Sequence, residues 1–198
     1  MQAIESVDIR AGYDKGPALV SEFDRQATGD ALEGLLPIHC AAFSGCRNCL
    51  KHAHQMSNAG ISVKDRMGRT PIYWAIAGGA VENVKYLIKH GANVSDQTNI
   101  GRTLLTKAAW CNLPEVVNLL IDNGADFTQR DHKGRTAMHV AVTGGSKTSI
   151  QALMDRLGPA EPMKLRDCFG ATPFHIAAGG TDPSFSGVLD FLLEQVRK

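Results

Sequence analysis

Hydrophobic positions along the chain recur in short helical stretches that polar, glycine-containing turns separate. In the stretch VENVKYLIKH at 81–90, Val84, Leu87 and Ile88 fall at i, i+3 and i+4, which predicts one apolar stripe on a helix. Gly91 follows and is predicted as the C-cap of that helix. The pattern therefore indicates helices that bury one face.

A shorter helix is predicted just before it, in TPIYWAIA at 70–77. Thr70 suits the N-cap and Pro71 the first helical position, where the missing N–H costs nothing. The double glycine at 78–79 ends this helix. The turn before it, DRMGR at 65–69, has the Asp and Gly that tight turns favour. Turn, helix, break and helix thus form one unit.

The same unit recurs along the chain at a nearly constant period. The first glycines of the successive turns are Gly34, Gly68, Gly101, Gly134 and Gly170. A period near 33 residues is a repeat signature, and a catalytic loop has no reason to recur five times. The turns are therefore predicted to be structural. In the third unit, Asn112 followed by Glu115 predicts a capping box with Pro114 in the first turn.

The run DRMGRTPI…AIAGG…VKYLIKHGANV resembles ankyrin repeats, whose unit is a β-turn plus two antiparallel helices. The resemblance implies an all-α solenoid of about five repeats. Their expected ranges are 31–64, 65–97, 98–130, 131–166 and 167–198. Residues 1–30 are either a degenerate capping unit or a partly disordered tail, and the sequence favours neither.

Several repeats depart from the family pattern. Repeat one has Leu36 where threonine is usual, and repeat three has TLLT in place of T-P-L-H. Repeat four carries LGPAEPMKL at 157–165, which predicts a longer loop. Repeat five contains TDPSFSG, which predicts a displaced second helix, although Leu192 and Leu193 suit its packing layer.

Composition excludes several functional classes. The chain has 198 residues, 43% of them hydrophobic, and its formal net charge of +1 gives no overall attraction to nucleic acid or anionic membrane. No signal peptide or membrane-spanning stretch is evident. Five cysteines are too few for a disulfide scaffold, so reduced thiols in an intracellular protein, cytoplasmic or nuclear, are expected.

One segment, CRNCLKHAH, carries Cys46, Cys49, His52 and His54 and is the best metal candidate. Zinc requires ligands that converge tetrahedrally. The repeat phase places the segment on a helix, where His52 and His54 point apart. Buried or half-buried thiols without metal are therefore the preferred interpretation, although an irregular segment would escape this argument.

No catalytic motif accompanies the repeats. His39, His139 and His175 recur at one repeat position, with Tyr73 and Thr106 replacing them elsewhere, so a structural role at the turn is predicted. Nucleophile-elbow, zinc-helix and phosphate-loop patterns are not found. The chain is accordingly predicted to be no enzyme, without cofactor or small-molecule substrate.

The family resemblance implies that the turn tips and first helices form a concave surface that binds a partner protein. Carried over by column, this surface comprises Phe43, Arg66, Met67, Arg69, Ile100, Arg102, Trp110, His132, Lys133, Arg135 and Phe169. The cations form a basic band beside Trp110, and Trp and Arg dominate binding energy at many interfaces. The alternative is that Trp110 packs on its neighbours. Trp74 is expected in the core, and Asp65 and Asp131 in turn hydrogen bonds.

Together these features predict a non-catalytic protein-interaction module, monomeric by itself. Its partner is expected to present an acidic and apolar segment to repeats two to four. Two alternatives stay open: a regulatory or targeting arm of a larger enzyme or channel, and nucleic-acid binding through the basic band. Near-zero net charge and few stacking aromatics disfavour nucleic acid.

Overall fold

The computed structural model describes residues 34–57, 60–158, 161–179 and 183–196, without side-chain placement at 161–162, 183–186 and 196. The predicted N-terminal capping unit or tail lies outside the described residues. The chain divides into two compact units, Met1–Ala92 and Asn93–Lys198, called unit 1 and unit 2.

Regular structure in the described residues is helical, apart from an isolated antiparallel bridge between Gln97 and Thr103. In unit 1 the helices are α1 (Pro37–Phe43), α2 (Arg47–Met56), α3 (Pro71–Ala77) and α4 (Val81–Lys89). In unit 2 they are α5 (Leu104–Trp110), α6 (Pro114–Asp122), α7 (Ala137–Thr143), α8 (Lys147–Leu157), α9 (Glu161–Lys164), α10 (Pro173–Gly179) and α11 (Pro183–Val196). No helix in the described residues is long and apolar enough to cross a membrane.

Each long helix buries one stripe, as the periodicity predicts. In α4, Val84 and Leu87 are fully buried, whereas Lys85 and Lys89 are exposed. Burying such a side chain contributes about 1.5–3 kcal/mol, so the stripe stabilises the helix more than its intrinsic propensity does. Gly78 is the C-cap of α3, as predicted.

Helices pack as pairs, and pairs stack within each unit. In unit 1, α1 packs on α2 and α3, and α3 packs on α4. In unit 2, α5 packs on α6 and α7, α7 on α8 and α10, and α10 on α11. The buried Asn83 side-chain amide joins two pairs, because it donates to the carbonyls of Ala41 (3.2 Å) and Ala42 (3.0 Å).

A five-residue hairpin precedes each of the first helices α3, α5, α7 and α10. The ranges are hairpin 2 (65–69), hairpin 3 (98–102), hairpin 4 (131–135) and hairpin 5 (167–171), numbered after their repeats. In every case the first residue donates its backbone N–H to the carbonyl of the fifth, at 2.9–3.0 Å. The hairpins are thus equivalent and can be compared position by position.

Two predicted caps differ from the structure. The C-cap of α4 is His90, and Gly91 follows it with φ of 91°. The predicted capping box at Asn112 is wrong, because Leu113 is the N-cap of α6. Asn112 instead takes a left-handed φ of 54° at the position of Gly79 and Gly145, and its amide oxygen accepts from the Thr148 hydroxyl (2.8 Å).

The two insertions are helical, although the sequence predicted a longer loop for the first and a displaced helix for the second. The predicted long loop at 157–165 contains the short helix α9. TDPSFSG does not displace the last helix, because α11 already begins at Pro183 and continues through the insertion. Leu192 is fully buried on α11, as predicted, but Leu193 is exposed.

Candidate functional site

Hairpin 2 is held by one buried carboxylate. Asp65 accepts the backbone N–H groups of Met67 (2.9 Å) and Arg69 (2.8 Å). Its other oxygen accepts from Arg69 Nε (2.7 Å) and from Trp74 Nε1 (3.0 Å). The predicted turn role of Asp65 and the core position of Trp74 are therefore confirmed.

Arg69 does not offer an exposed cation, contrary to the sequence analysis. Its side chain pairs with Asp65 and lies over the Trp74 ring at 4.3 Å, and the residue is only 7% exposed. This arrangement neutralises the charge and stabilises the hairpin. Arg66 is exposed and Met67 half-buried beside it, so these two residues form the accessible part of hairpin 2.

Hairpin 4 repeats the arrangement with more exposure. Asp131 accepts the N–H groups of Lys133 and Arg135, both at 2.9 Å, which confirms its predicted turn role. Arg135 also donates from Nε (2.9 Å) and Nη2 (2.7 Å), so this half-buried cation is already paired. His132 and Lys133 are exposed. The net positive charge of the basic band is therefore lower than its number of cationic residues suggests.

In unit 2, backbone hydrogen bonds join three hairpins into a ladder. The His132 N–H donates to the Ile100 carbonyl (3.2 Å), and the Cys168 N–H donates to the Lys133 carbonyl (3.1 Å). The side chains of Ile100 (38% exposed) and Phe169 (84% exposed) therefore lie on the hairpins that flank hairpin 4. Arg102 is half-buried on hairpin 3. We call Ile100, His132, Lys133 and Phe169 the unit 2 tip surface.

The aromatic residues predicted on the first helices are only partly accessible. Phe43 is half-buried on α1 and meets the Trp74 ring edge-on at 6.0 Å. Trp110 is half-buried at the end of α5. Its ring packs close to the backbone of Gly144, where an added Cβ would lie 3.3 Å from the ring. Both side chains therefore pack within their own units as well as reaching the surface.

Family comparisons agree with this architecture. Models described as ankyrin repeats match residues 38–131 and 113–154, which together cover more than half of the chain. The chain belongs to the ankyrin-repeat family. Proteins of this family generally mediate protein–protein interactions and are typically non-catalytic.

A curated relative adds a short match. The chain is 38% identical over 60 residues to Ankyrin repeat and SOCS box protein 2 of Bos taurus. The match covers 30% of this chain and 10% of the relative. The similarity thus concerns a segment of ankyrin repeats, and the chain spans about a tenth of that protein's length.

The recurring ankyrin-repeat histidines have the predicted structural role in repeats one and four. His39 Nδ1 accepts the Leu36 N–H (3.0 Å), so its Nε2 carries the proton that bonds the Val63 carbonyl (3.1 Å). His139 similarly bonds the Ala171 carbonyl (3.1 Å). Burial lowers the pKa of both imidazoles below 6.5, although these carbonyls oppose the shift.

The C-x-x-C segment differs from the sequence prediction. Cys46 is the N-cap of α2 rather than a helical residue, and its Sγ accepts the Cys49 N–H (3.2 Å). The two cysteines form a disulfide, contrary to the expected reduced thiols. Burial raises the pKa of the Cys40 thiol on α1. Within the described residues, no group of three or more His, Cys, Asp or Glu could hold a metal ion.

Sequence reasoning missed two features of the ankyrin-repeat helices. Lys107 is only 1% exposed on α5, at the repeat position that Trp74 and Val140 occupy elsewhere. In unit 1, the rings of His54, Tyr86 and His90 form a cluster with centroids 4.0–6.0 Å apart, and His54 Nδ1 lies 3.1 Å from the Tyr86 hydroxyl oxygen. Alignment of the repeats would have shown that Lys107 stands at an otherwise apolar position. The contact between His54 and Tyr86 depends on how two helices pack, and the sequence alone does not show it.

Proposed function

We propose that this ankyrin-repeat chain is a non-catalytic module that binds an acidic and apolar segment of a partner protein through its hairpin tips. The unit 2 tip surface carries this proposal. Its backbone ladder holds exposed cationic Lys133 on the hairpin between those of Ile100 and Phe169. Charge beside exposed apolar groups suits a ligand in which carboxylates flank hydrophobic side chains.

Unit 1 contributes a smaller surface of the same character. Arg66 and Met67 lie side by side on hairpin 2, and Phe43 is half-buried on α1. A methionine adapts its shape to different apolar partners at little cost. We treat this surface as a second, separate contact for the partner, to be tested by its own variant.

Residues that hold the fold are unsuitable for testing this proposal. Arg69 and Arg135 are bound to carboxylates in their own hairpins, and Trp110 is half-buried. Their substitution would lower stability as well as affinity. The informative substitutions are those at exposed side chains whose removal leaves the hairpin hydrogen bonds intact.

The experiment compares affinity capture from cell lysate for the full chain and a unit 2 variant, Ile100→Asp, Lys133→Glu, Phe169→Asp. Lys147→Glu is the control, because it reverses an exposed charge on α8 and belongs to none of the hairpins. Arg66→Glu, Met67→Asp tests unit 1, with the exposed Lys51→Glu on α2 as its control. Circular dichroism melts first establish that every variant is folded.

A protein retained by the full chain and by both controls, but lost with the unit 2 variant, identifies the partner. Its purified form should then bind that variant at least about tenfold more weakly, a loss of 1.4 kcal/mol or more. Equal retention of all captured proteins by the tip variants and the controls would refute the proposed surface.

A further inference from the structure

The start of α2 carries a disulfide that the equivalent helices of other repeats do without. Cys46 is the N-cap of α2, and its partner Cys49 lies in the first turn. The N-caps of α4, α6 and α8 at the same repeat position are Ala80, Leu113 and Ser146. These three helices begin without a covalent bond, so the disulfide is not needed to start such a helix.

The disulfide also closes a very short loop. Cys46 and Cys49 are three positions apart in the sequence, and in the chain-entropy account a disulfide stabilises a fold less as its loop shortens. Their Cα atoms lie 5.3 Å apart, within the range that a disulfide spans without moving the backbone. The bond can therefore open and close while the helix stays formed.

One of the two cysteines is accessible to a thiol. Cys49 is exposed and Cys46 is half-buried. In α4, α6 and α8 the position of Cys49 is fully buried, and it holds Asn83, Val116 and Ser149. Thiol–disulfide exchange requires that a thiolate reach a sulfur of the bond, so the exposure of Cys49 permits the reaction.

The two sulfurs differ in how well they hold a negative charge. Cys46 Sγ accepts the Cys49 N–H (3.2 Å) at the N-terminus of a ten-residue helix. A helix N-terminus stabilises a thiolate, which makes Cys46 the better leaving group. Arg47 adds positive charge beside it, partly offset by Glu82 at 3.6 Å from the guanidinium. Helix α2 itself, RNCLKHAHQM, contains no acidic side chain.

We propose that Cys46 and Cys49 form a reversible dithiol–disulfide site that exchanges with a small thiol of the glutathione class. The thiolate of the small thiol attacks Cys49 Sγ, the S–S bond breaks, and Cys46 Sγ leaves with the bonding electron pair. A second thiolate attacks the small-thiol sulfur of this mixed disulfide and releases Cys49. Two small thiols are thereby oxidised to one disulfide, and the protein disulfide is reduced to two thiols, which take up the two protons.

The reverse steps form the protein disulfide again. The Cys49 thiolate attacks a small disulfide and becomes a mixed disulfide. The Cys46 thiolate then attacks Cys49 Sγ and expels the small thiol. Cys46 thus removes the small thiol from Cys49, and the mixed disulfide does not accumulate.

The first measurement is the equilibrium of the full chain with glutathione. Folded protein, oxidised or reduced at the start, is held without oxygen in buffers of increasing [GSH]²/[GSSG]. Acid quenching, alkylation and mass spectrometry of peptides give the reduced fraction, and circular dichroism gives the helix content. The pair should pass from one-tenth to nine-tenths reduced over about an 80-fold rise in this ratio, as mass action requires for two thiols.

Both starting forms should reach the same reduced fraction, with unchanged helix content. A pair that stays oxidised in excess reduced glutathione until urea unfolds the chain would be a structural disulfide and would overturn the proposal. A pair that does not form again after reduction would also overturn it.

The Cys46→Ser variant tests the role of Cys46, because serine is also a good N-cap and preserves the helix start. In oxidised glutathione, this variant should carry at least about tenfold more glutathione on Cys49 than the reduced full chain does. Exposed Cys168 is measured in the same samples and should be modified equally in both proteins. Equal modification of Cys49 in both would overturn the assigned role. No partner protein takes part, so the result is independent of the function proposed above.

Discussion

At the scale of single residues, the threonine that begins each first helix is not equivalent from repeat to repeat. Thr136 donates its hydroxyl proton to His139 Nδ1 (2.8 Å). In repeat two, Tyr73 stands where this histidine would be, and the Thr70 hydroxyl is buried without a hydrogen-bond partner in the described structure. A buried hydroxyl without a partner is destabilising, because it has lost its bonds to water.

Substituting valine for these two threonines should therefore have different effects. Thr136→Val removes a satisfied hydroxyl, and we expect it to lower the free energy of unfolding by about 1–2 kcal/mol. Thr70→Val keeps the shape and removes an unsatisfied group, so it should be neutral or slightly stabilising. Urea unfolding followed by tryptophan fluorescence measures both. Equal losses for the two variants would contradict this explanation.

The buried histidines predict a pH dependence of stability. Burial lowers the pKa of His39 and His139, so the unfolded chain binds more protons just below pH 6.5 than the folded chain does. Their stabilising contribution is complete above pH 6.5 and is lost as pH falls from there through the folded pKa values. Urea unfolding between pH 7.5 and 5 should show this decline.

The His139→Gln variant distinguishes this cause from general acid destabilisation. Glutamine keeps an acceptor and a donor but does not titrate, so the variant should be less stable at neutral pH with a shallower decline below pH 6.5. An unchanged decline in the variant would exclude His139 as a source of the pH dependence.

At the scale of the structural element, one aspartate carboxylate holds each of hairpins 2 and 4 together, and the two aspartate–arginine pairs differ in burial. Asp65 and its partner Arg69 are both buried, whereas Arg135, the partner of Asp131, is half-buried. Removal of one member of a buried pair leaves the other charge without compensation, which typically costs about 3–5 kcal/mol. The cost is smaller when the remaining charge is half-buried, because water can still solvate it.

We therefore expect Asp65→Ala to destabilise unit 1 by about 3–5 kcal/mol and Asp131→Ala to destabilise unit 2 by clearly less. The chain contains two tryptophans, Trp74 in unit 1 and Trp110 in unit 2, so fluorescence reports on both units. A parallel series without Trp110 leaves Trp74 as the reporter and assigns the transition of unit 1. If Asp131→Ala costs as much as Asp65→Ala, burial of the arginine is not the deciding factor.

The start of α2 makes a further prediction at this scale. Because Cys46 and Cys49 are joined, neither should react with an alkylating reagent until the protein is reduced. Cys168 is exposed and should react at once, whereas burial raises the pKa of Cys40 and should slow its reaction. Mass spectrometry of peptides before and after reduction measures the reaction of these four of the five cysteines. Labelling of Cys46 and Cys49 without reduction would contradict the disulfide.

The sequence was sufficient for the repeat unit but not for the exceptions to it. Periodicity predicted the helices around Val84 and Leu87, and the recurrence of the turn predicted the role of Asp65. The left-handed backbone of Asn112 was not predicted. The sequence around it resembles a capping box, and this resemblance was given more weight than the glycines that stand at the same position in other repeats. The burial of Arg69 depends on the ring of Trp74, and alignment of hairpin residues alone does not show that contact.

At the scale of the whole molecule, the charge distribution favours a protein ligand over nucleic acid. The formal net charge is +1. Of the cations that the sequence assigned to a basic band, Arg69 and Arg135 are paired with Asp65 and Asp131. At most three of the five therefore contact phosphates, and each contact changes the slope of log affinity against log salt by only about −0.9.

We therefore expect a duplex oligonucleotide to bind weakly, with a salt slope no steeper than about −3. Fluorescence anisotropy of a labelled duplex, titrated with the full chain at several NaCl concentrations, measures the slope. Lys133→Glu should abolish what binding there is, because it reverses an exposed cation of the tip surface. A slope near −6 or beyond with submicromolar affinity would require more cations than the hairpins leave accessible, and would favour nucleic acid over an acidic protein segment as the ligand.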